Sequence, residues 1–419
     1  MKRSCLYLVV ILCHQISFAN NGSLFDVTST TTQTGAILNI TTTIPNHTYS
    51  MAGIKLNSSG YSLPNSGTEC TKIENSHCFF SINNLTTKTI TISGKVGTID
   101  MSLCLNGNGP LSCQNYQVSI SYAYVANDNN KILVCPIHSN GDFGDCFDSG
   151  ASFSGPNVLT FNTAKTMAYI TNYDLSFGTS SIQLCTVQPN YTLTSCNTLT
   201  NTGSAALSVP FGLVLNRAQT IAYIANGAGS PGQVLVCPIN GNHIACENSG
   251  NTGIPFTYPQ GIVFNQAQTI AYVTNDGIDE IYPPHVNAVS VCPIIAGTFG
   301  ACIDSGHTGP AFSNPLGIVL NNSGTIAYVT NTDSTNTVSI CPIQNDGTFG
   351  TCVDSGNTFN APIWIVLNGD GTKAYVTNNT TNTVSVCPIN SDGSFGACQN
   401  AGNIGGIAFS GPEGITLLE

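Results

Sequence analysis

The sequence predicts an all-β chain: a six-bladed β-propeller whose C-terminal strand closes the first blade, preceded by a small β-sandwich-like domain. Three observations carry this prediction. The segment Ala-Tyr-Val-Thr-Asn stands at 271–275, 327–331 and 374–378 and returns in near form from Ala123, Ala168 and Ala222, which makes six copies. A couple of cysteines follows each copy at a regular interval, and a strand-like segment without a partner, 412–418, trails the last.

Taken from the start, residues 1–19 read as a secretory signal, with Lys2 and Arg3, an apolar run from Cys5 to Leu12, and small residues at Ser17 and Ala19. That run is far shorter than the roughly 20 residues that span a bilayer, and no later segment is long and apolar enough to do so. Removal of the signal leaves 8 Lys and Arg against 21 Asp and Glu, a formal charge of −13. Only 7% of the chain is charged and Arg217 is the one arginine beyond the signal, so the clustered cations of a nucleic-acid surface are missing. Residues 20–118 alternate Thr, Val and Ile with turn residues, as in 36–41 and 89–93, the pattern of half-buried antiparallel strands. The four cysteines of this region suggest local pairing of Cys70 with Cys78 and Cys104 with Cys113, one of three connectivities.

From 119 to 419 each unit of about 50 residues holds four short strands, here lettered A to D from the axis outward. A proline opens strand A, as in Pro210-Phe-Gly-Leu-Val-Leu, and the Ala-Tyr-Val-Thr-Asn segment is strand B. Strand C ends near the first cysteine, often as Val-Cys-Pro-Ile, and a turn such as Asp346-Gly347 leads to the second cysteine and strand D. The couples are Cys135 with Cys146, Cys185 with Cys196, Cys237 with Cys246, Cys292 with Cys302, Cys341 with Cys352, and Cys387 with Cys398, separated by 9 to 11 positions. None has the C-x-x-C spacing of a metal site, and an exported chain meets an oxidising compartment, so they read as disulfides across the C–D hairpin. The first unit lacks a strand A, and 412–418 supplies one. That sets the number of blades at six, with seven as the alternative were Tyr116–Ile120 to join an extra blade.

The B-strand core, preceded by Pro-x-Gly-Ile and a turn such as Asn368-Gly-Asp-Gly-Thr372, resembles the YVTN-type β-propeller repeat of exported bacterial and archaeal proteins. The resemblance covers about 300 residues and bears on fold, since related propellers include lactonases, surface-layer components and binding scaffolds. A cysteine couple in every blade is not part of the general repeat.

Function is less sharply written. The D-to-A and B-to-C connections, which share one face, are long and varied at 173–180, 198–209 and 276–288, and make that face the expected binding surface. Candidate ligand residues fall in two groups. At the channel mouth Asn157, Gln260 and Glu413 each follow a strand-A proline, where other blades have Phe211, Leu316 and Ile363. In blade 4, Asp276, Asp279, Glu280, Tyr282 and His285 precede strand C and His307 follows strand D, a set of oxygen and nitrogen donors that also suits water-facing loops. Trp364 replaces the strand-A glycine and reads first as core packing, second as an aromatic platform. The Asp-Ser-Gly steps at Asp148, Asp304 and Asp354 recur with Asn248 and Asn400 as substitutes, which marks them as turns. No nucleophile elbow and no HExxH motif occurs, and a phosphorylated sugar lactone would want cations that this face lacks. The expectation is a secreted or surface-exposed, non-catalytic binding protein, with the periplasm as another compartment, engaging a protein or glycan and needing no cofactor. A lactonase-type hydrolase using calcium and Glu413 is the alternative.

Overall fold

The computed structural model describes residues 25–419 apart from 33–34, 43–48, 57–60, 63–71, 75–76, 83–86, 95–96, 107–112, 175–178, 228–231, 278–286, 334 and 404. The expected signal at 1–19 and Cys70, the expected partner of Cys78, lie outside these residues. Among the described residues there is no helix, and so none long and apolar enough to cross a membrane.

The chain divides into two compact units, one made mainly of residues 1–122 and one of 123–135 with 145–418. The first holds two antiparallel sheets. One orders Phe25–Thr32, Gly35–Thr42, Thr87–Gly94 and Tyr61–Ser62; the other runs from Cys113–Asn127 through Gly97–Asn106, Tyr49–Leu56 and His77–Ile82 to Lys72–Glu74. Leu38 of one sheet and Ile54 of the other are both fully buried, as the alternating pattern predicts for facing sheets. Cys104 lies directly opposite Cys113 in the backbone ladder. Tyr116–Ile120 pairs with Gly97–Met101 in this unit and adds no seventh blade.

The second unit is a ring of six antiparallel blades. The strands A of blades 2 to 6 are Pro156–Phe161, Pro210–Leu215, Pro259–Phe264, Pro315–Leu320 and Pro362–Leu367. Strand B is Met167–Asp174, Ile221–Asn226, Ile270–Asn275, Ile326–Asn331 and Lys373–Asn378 in the same order, and in blade 1 the end of Cys113–Asn127. Pro412–Leu418 pairs with Cys113–Asn127 and is the strand A of blade 1, so the ring closes as the repeat boundaries predict. Next to the join, Asp128 N–H donates to the carbonyls of Ser410 and Gly411 at 3.0 and 3.2 Å, and Ser410 N–H to Asn127 Oδ1 at 3.0 Å. An open sheet edge is thereby removed.

Each blade buries both faces against its neighbours. Between blades 3 and 4, Tyr223, Val234 and Val236 pack on Ile262, Val273 and Phe299, and each such side chain contributes about 1.5–3 kcal/mol by leaving water. The motif tyrosines also reach the C–D turn of the next blade: Tyr223 Oη donates to Gly297 O at 2.8 Å and Tyr328 Oη to Gly393 O at 2.9 Å.

The motif threonine joins blades near the axis. In blades 2 to 6 the A–B ladder slips just after its proline, leaving two bulged residues, such as Gln260 and Gly261, out of register. The freed Gly261 N–H donates to Thr274 Oγ1 at 2.7 Å, and Thr274 Oγ1 donates onward to Leu316 O of blade 5. Thr330 repeats this with Gly317 N–H at 2.8 Å and Ile363 O at 2.9 Å, Thr171 with Val158 N–H and Phe211 O, and Thr377 with Trp364 N–H and Glu413 O. Blades 1 and 3 have Ala126 and Ala225 at this position and lack the bridge. In blade 4 the same approach requires glycine: a Cβ on Gly261 would stand 2.4 Å from Leu316 O.

All six cysteine couples of the ring are disulfides, with Cα atoms 4.0–4.2 Å apart. The second cysteine differs in setting from the expected strand-to-strand rung. In five blades strand D is only two residues long, as at Ile303–Asp304, and that cysteine immediately precedes it. Its backbone is held by the preceding blade: Cys246, Cys302, Cys398 and Cys146 N–H groups donate to Oδ1 of Asn201, Asn251, Asn357 and Asn403. Six disulfides of this kind fit an oxidising, extracellular environment.

Two outcomes check this account. Thr330→Val should lower stability to chemical denaturation by about 1–3 kcal/mol, because a buried amide and a buried carbonyl lose their partner, while Ala225→Thr should shift it the other way. A peptide map of the unreduced protein should recover the six ring couples, each closing a loop worth about 3 kcal/mol by chain entropy.

Candidate functional site

The bulge after each proline turns one side chain toward the axis. The six residues so placed, Asn157, Phe211, Gln260, Leu316, Ile363 and Glu413, one from each blade, line a single cavity of about 200 Å³. Val158, Tyr258, Asp276, Trp364 and Gly414 complete its wall. The three channel-mouth candidates therefore come together, with Asn157 9% and Gln260 6% exposed. Trp364, at a position where blades 1, 3, 4 and 5 put glycine and blade 2 puts Val158, is half-buried and also lines the mouth.

The blade 4 group is divided. Asp279, Glu280, Tyr282 and His285 lie outside the described residues. Asp276 belongs to the mouth, 2% exposed. His307 does not line it; its ring packs at a tilt against Phe312, centroids 4.2 Å apart, beside Thr308, which pairs with Thr351 near the disulfide rim. Among the described residues no three His, Cys, Asp or Glu side chains gather in one place. Other loop expectations are revised as well. Residues 173–174 and 179–180 extend a hairpin, and Thr200–Asn201 pairs in parallel with His243–Ile244 of the next blade. The Asp-Ser-Gly steps are turns: Asp148, Asp304 and Asp354 each accept from the glycine N–H two residues on at 2.7–2.8 Å. Lys131 is ion-paired with Asp148 at 2.6 Å.

Two carboxyls dominate the electrostatics. Burial, and then the charge of Asp333, push Asp276 up to about 7, and its Oδ1 has no hydrogen-bond partner. Burial, and then Asp128, push Glu413 up to about 8; the two carboxyls are hydrogen-bonded, which requires a proton on one of them. Asn379 Nδ2 donates to Glu413 Oε1 at 3.0 Å. No Lys or Arg lines the cavity to offset these groups.

Asp128, Asn379 and Tyr258 were not candidates from sequence. A signal existed for the first two: with Asp276 and Thr332 they occupy the position directly after a motif asparagine, which the register places beside the mouth. Tyr258 precedes a strand-A proline. All six residues at that position have left-handed φ, from 45° at Asn314 to 61° at Val209, and Tyr258 has 54°. The motif asparagines hold this strained bend, as Asn275 Oδ1 does by accepting from Thr257 N–H at 3.0 Å.

No protein-family model matches the chain, and no curated protein matches it. Solved structures do. A chain of a nidogen–laminin complex aligns with a TM-score of 0.51 and 15% identity, over 71% of this chain and 98% of that one. The periplasmic gluconolactonase of Pseudomonas aeruginosa gives 0.48 and 14% over 72% and 99%, and a putative 6-phosphogluconolactonase from Bacteroides uniformis 0.45 and 11% over 88% and 99%. These neighbours are propeller-type proteins, and at such identities the likeness concerns the fold alone.

The raised carboxyls fix a pH dependence. In the folded state they keep protons that the unfolded chain releases near pH 4, so stability should fall as pH rises from there to about 8. Asp276→Asn and Glu413→Gln should each flatten this decline and stabilise the protein most at pH 8 and above, read from thermal unfolding across pH.

Proposed function

We propose that this chain is an exported, non-catalytic binding protein, a cysteine-stapled relative of the YVTN-type propellers, which engages a protein or glycan partner through the D-to-A and B-to-C face. The observation that carries the reading is the mouth itself. Aromatic, amide, carboxyl and aliphatic side chains, at least one from each of the six blades, converge on one small cavity of a scaffold braced by disulfides at its rim and threonine bridges near its axis. The opposite face is made of short turns in which Asn162, Asn216, Asn265, Asn321 and Asn368 side chains accept from backbone amides, leaving little variable surface.

A lactonase-type hydrolase is the second reading, favoured by the Glu413–Asp128 pair. A carboxyl kept protonated at neutral pH can donate to a leaving oxygen, and its partner can accept a proton. The oxygen donors of Asn157, Gln260, Asp276 and Glu413 are of the hard type that calcium takes, and a bound cation would displace the carboxyl protons.

Screening the mature protein on protein and glycan arrays tests the first reading. Saturable binding weakened at least tenfold by Phe211→Ala, with no lactone turnover, is expected. Turnover of a lactone that Glu413→Ala abolishes would replace it with the hydrolase.

A further inference from the structure

The six mouth positions follow ring order, so blades 1 and 4 face each other across the axis, as do blades 3 and 6. At those positions Glu413 faces Gln260 and Phe211 faces Ile363; blade 4 adds a second carboxyl to the lining, Asp276, and blade 6 a second aromatic, Trp364. Tyr258 extends the aromatic side, with its ring centroid 5.8 Å from that of Phe211, and Tyr173 lies 6.4 Å from Phe211 on the other side. A cavity of about 200 Å³ is smaller than the roughly 300–1,000 Å³ of pockets for drug-sized ligands, and takes one small group. Asp276 Oδ1, buried and unpartnered, is an acceptor that the fold itself leaves unsatisfied, and such a group costs stability unless something binds it.

We infer that the channel mouth is a binding site for an organic ammonium group, held between the faces of Phe211, Tyr258 and Trp364 and charge-paired with Asp276 and Glu413. The inference rests on the binding reading above and names the ligand class for the same site. Aromatic faces attract cations through their quadrupoles, more strongly where water is excluded. An anion would meet two carboxyls and no Lys or Arg. A neutral ligand would leave Asp276 to lose its charge instead of pairing it. The ammonium has two chemical sources, a free amine or a lysine side chain presented by a protein partner.

Trp364 is the one tryptophan of the chain, so its emission reports on the mouth directly. The full-length mature protein should be titrated with choline, n-butylammonium, 3,3-dimethylbutanol as the uncharged isostere of choline, calcium chloride, and a short peptide bearing a single lysine. Choline or butylammonium should shift the emission saturably, with the uncharged isostere at least tenfold weaker. A free-amine ligand predicts that the small ammoniums match or exceed the peptide; a protein-borne lysine predicts that the peptide binds tighter than both.

Asp276→Asn should weaken ammonium binding at least tenfold while keeping thermal stability, since the orphaned charge is removed. Glu413→Gln supplies the same test should that variant fail to fold. Affinity should rise from pH 5 to pH 9 as Asp276 and Glu413 ionise, with Asp333 facing the first, Asp128 the second, and the Tyr258 hydroxyl also at the mouth. Equal binding of the uncharged isostere, or a response to calcium alone, would overturn the proposal. A partner found on the arrays that choline does not compete would leave the binding function standing and remove this ligand class. Lactone turnover alongside ammonium binding would do the reverse.

Discussion

A blade of four short strands, two of whose faces are apolar, is stable only between two others, so the second unit depends on the pairing that turns six blades into a closed ring. Pro412–Leu418 lies beside Cys113–Asn127 and is fastened there through Asp128, Asn127 and Ser410. Without that pairing blade 1 would present an uncovered sheet edge, and both end blades would expose a hydrophobic face. Local entropy is reduced at the rim, where each disulfide closes a short hairpin loop, but the disulfides lie within blades. What passes from blade to blade is apolar packing, the asparagine clamps on the second cysteines, the tyrosine bonds to neighbouring turns, and the threonine bridges.

The threonine bridge also shapes the cavity. It captures the amide freed by the bulge and the carbonyl of the next blade's axis-facing residue, fixing where that residue points. The same interaction that stabilises the ring thus aims Leu316, Ile363, Phe211 and Glu413 at the axis. Glu413 is bound to this logic twice, since its carbonyl accepts from Thr377 and its carboxyl meets Asp128 and Asn379. The price is carboxyl groups held away from water, which is why the site is sensitive to protons.

Much of this was legible in the sequence because a repeat reports its own structure six times over. The strand order, the blade number, the closing strand and the ring disulfides follow from recurrence alone, and Asn157, Gln260 and Glu413 were placed at the mouth by their position after a proline. Trp364 reads as filling a core because it is a bulky residue at a glycine position; half-buried, it also lines the mouth. Asp276 was grouped with His307 by nearness in sequence, although strand register puts one at the axis and the other beside the rim. The Glu413–Asp128 pair joins residues 285 positions apart, and only ring closure brings them together.

Ring closure is therefore the claim on which fold and site both stand, and native-state hydrogen exchange of the amides in Pro412–Leu418 measures it most directly. These amides should be protected as strongly as those of the inner strands of blades 2 to 6 and exchange only with global unfolding. Exchange at the rate of a frayed terminus, with the inner strands of the other blades still protected, would contradict it.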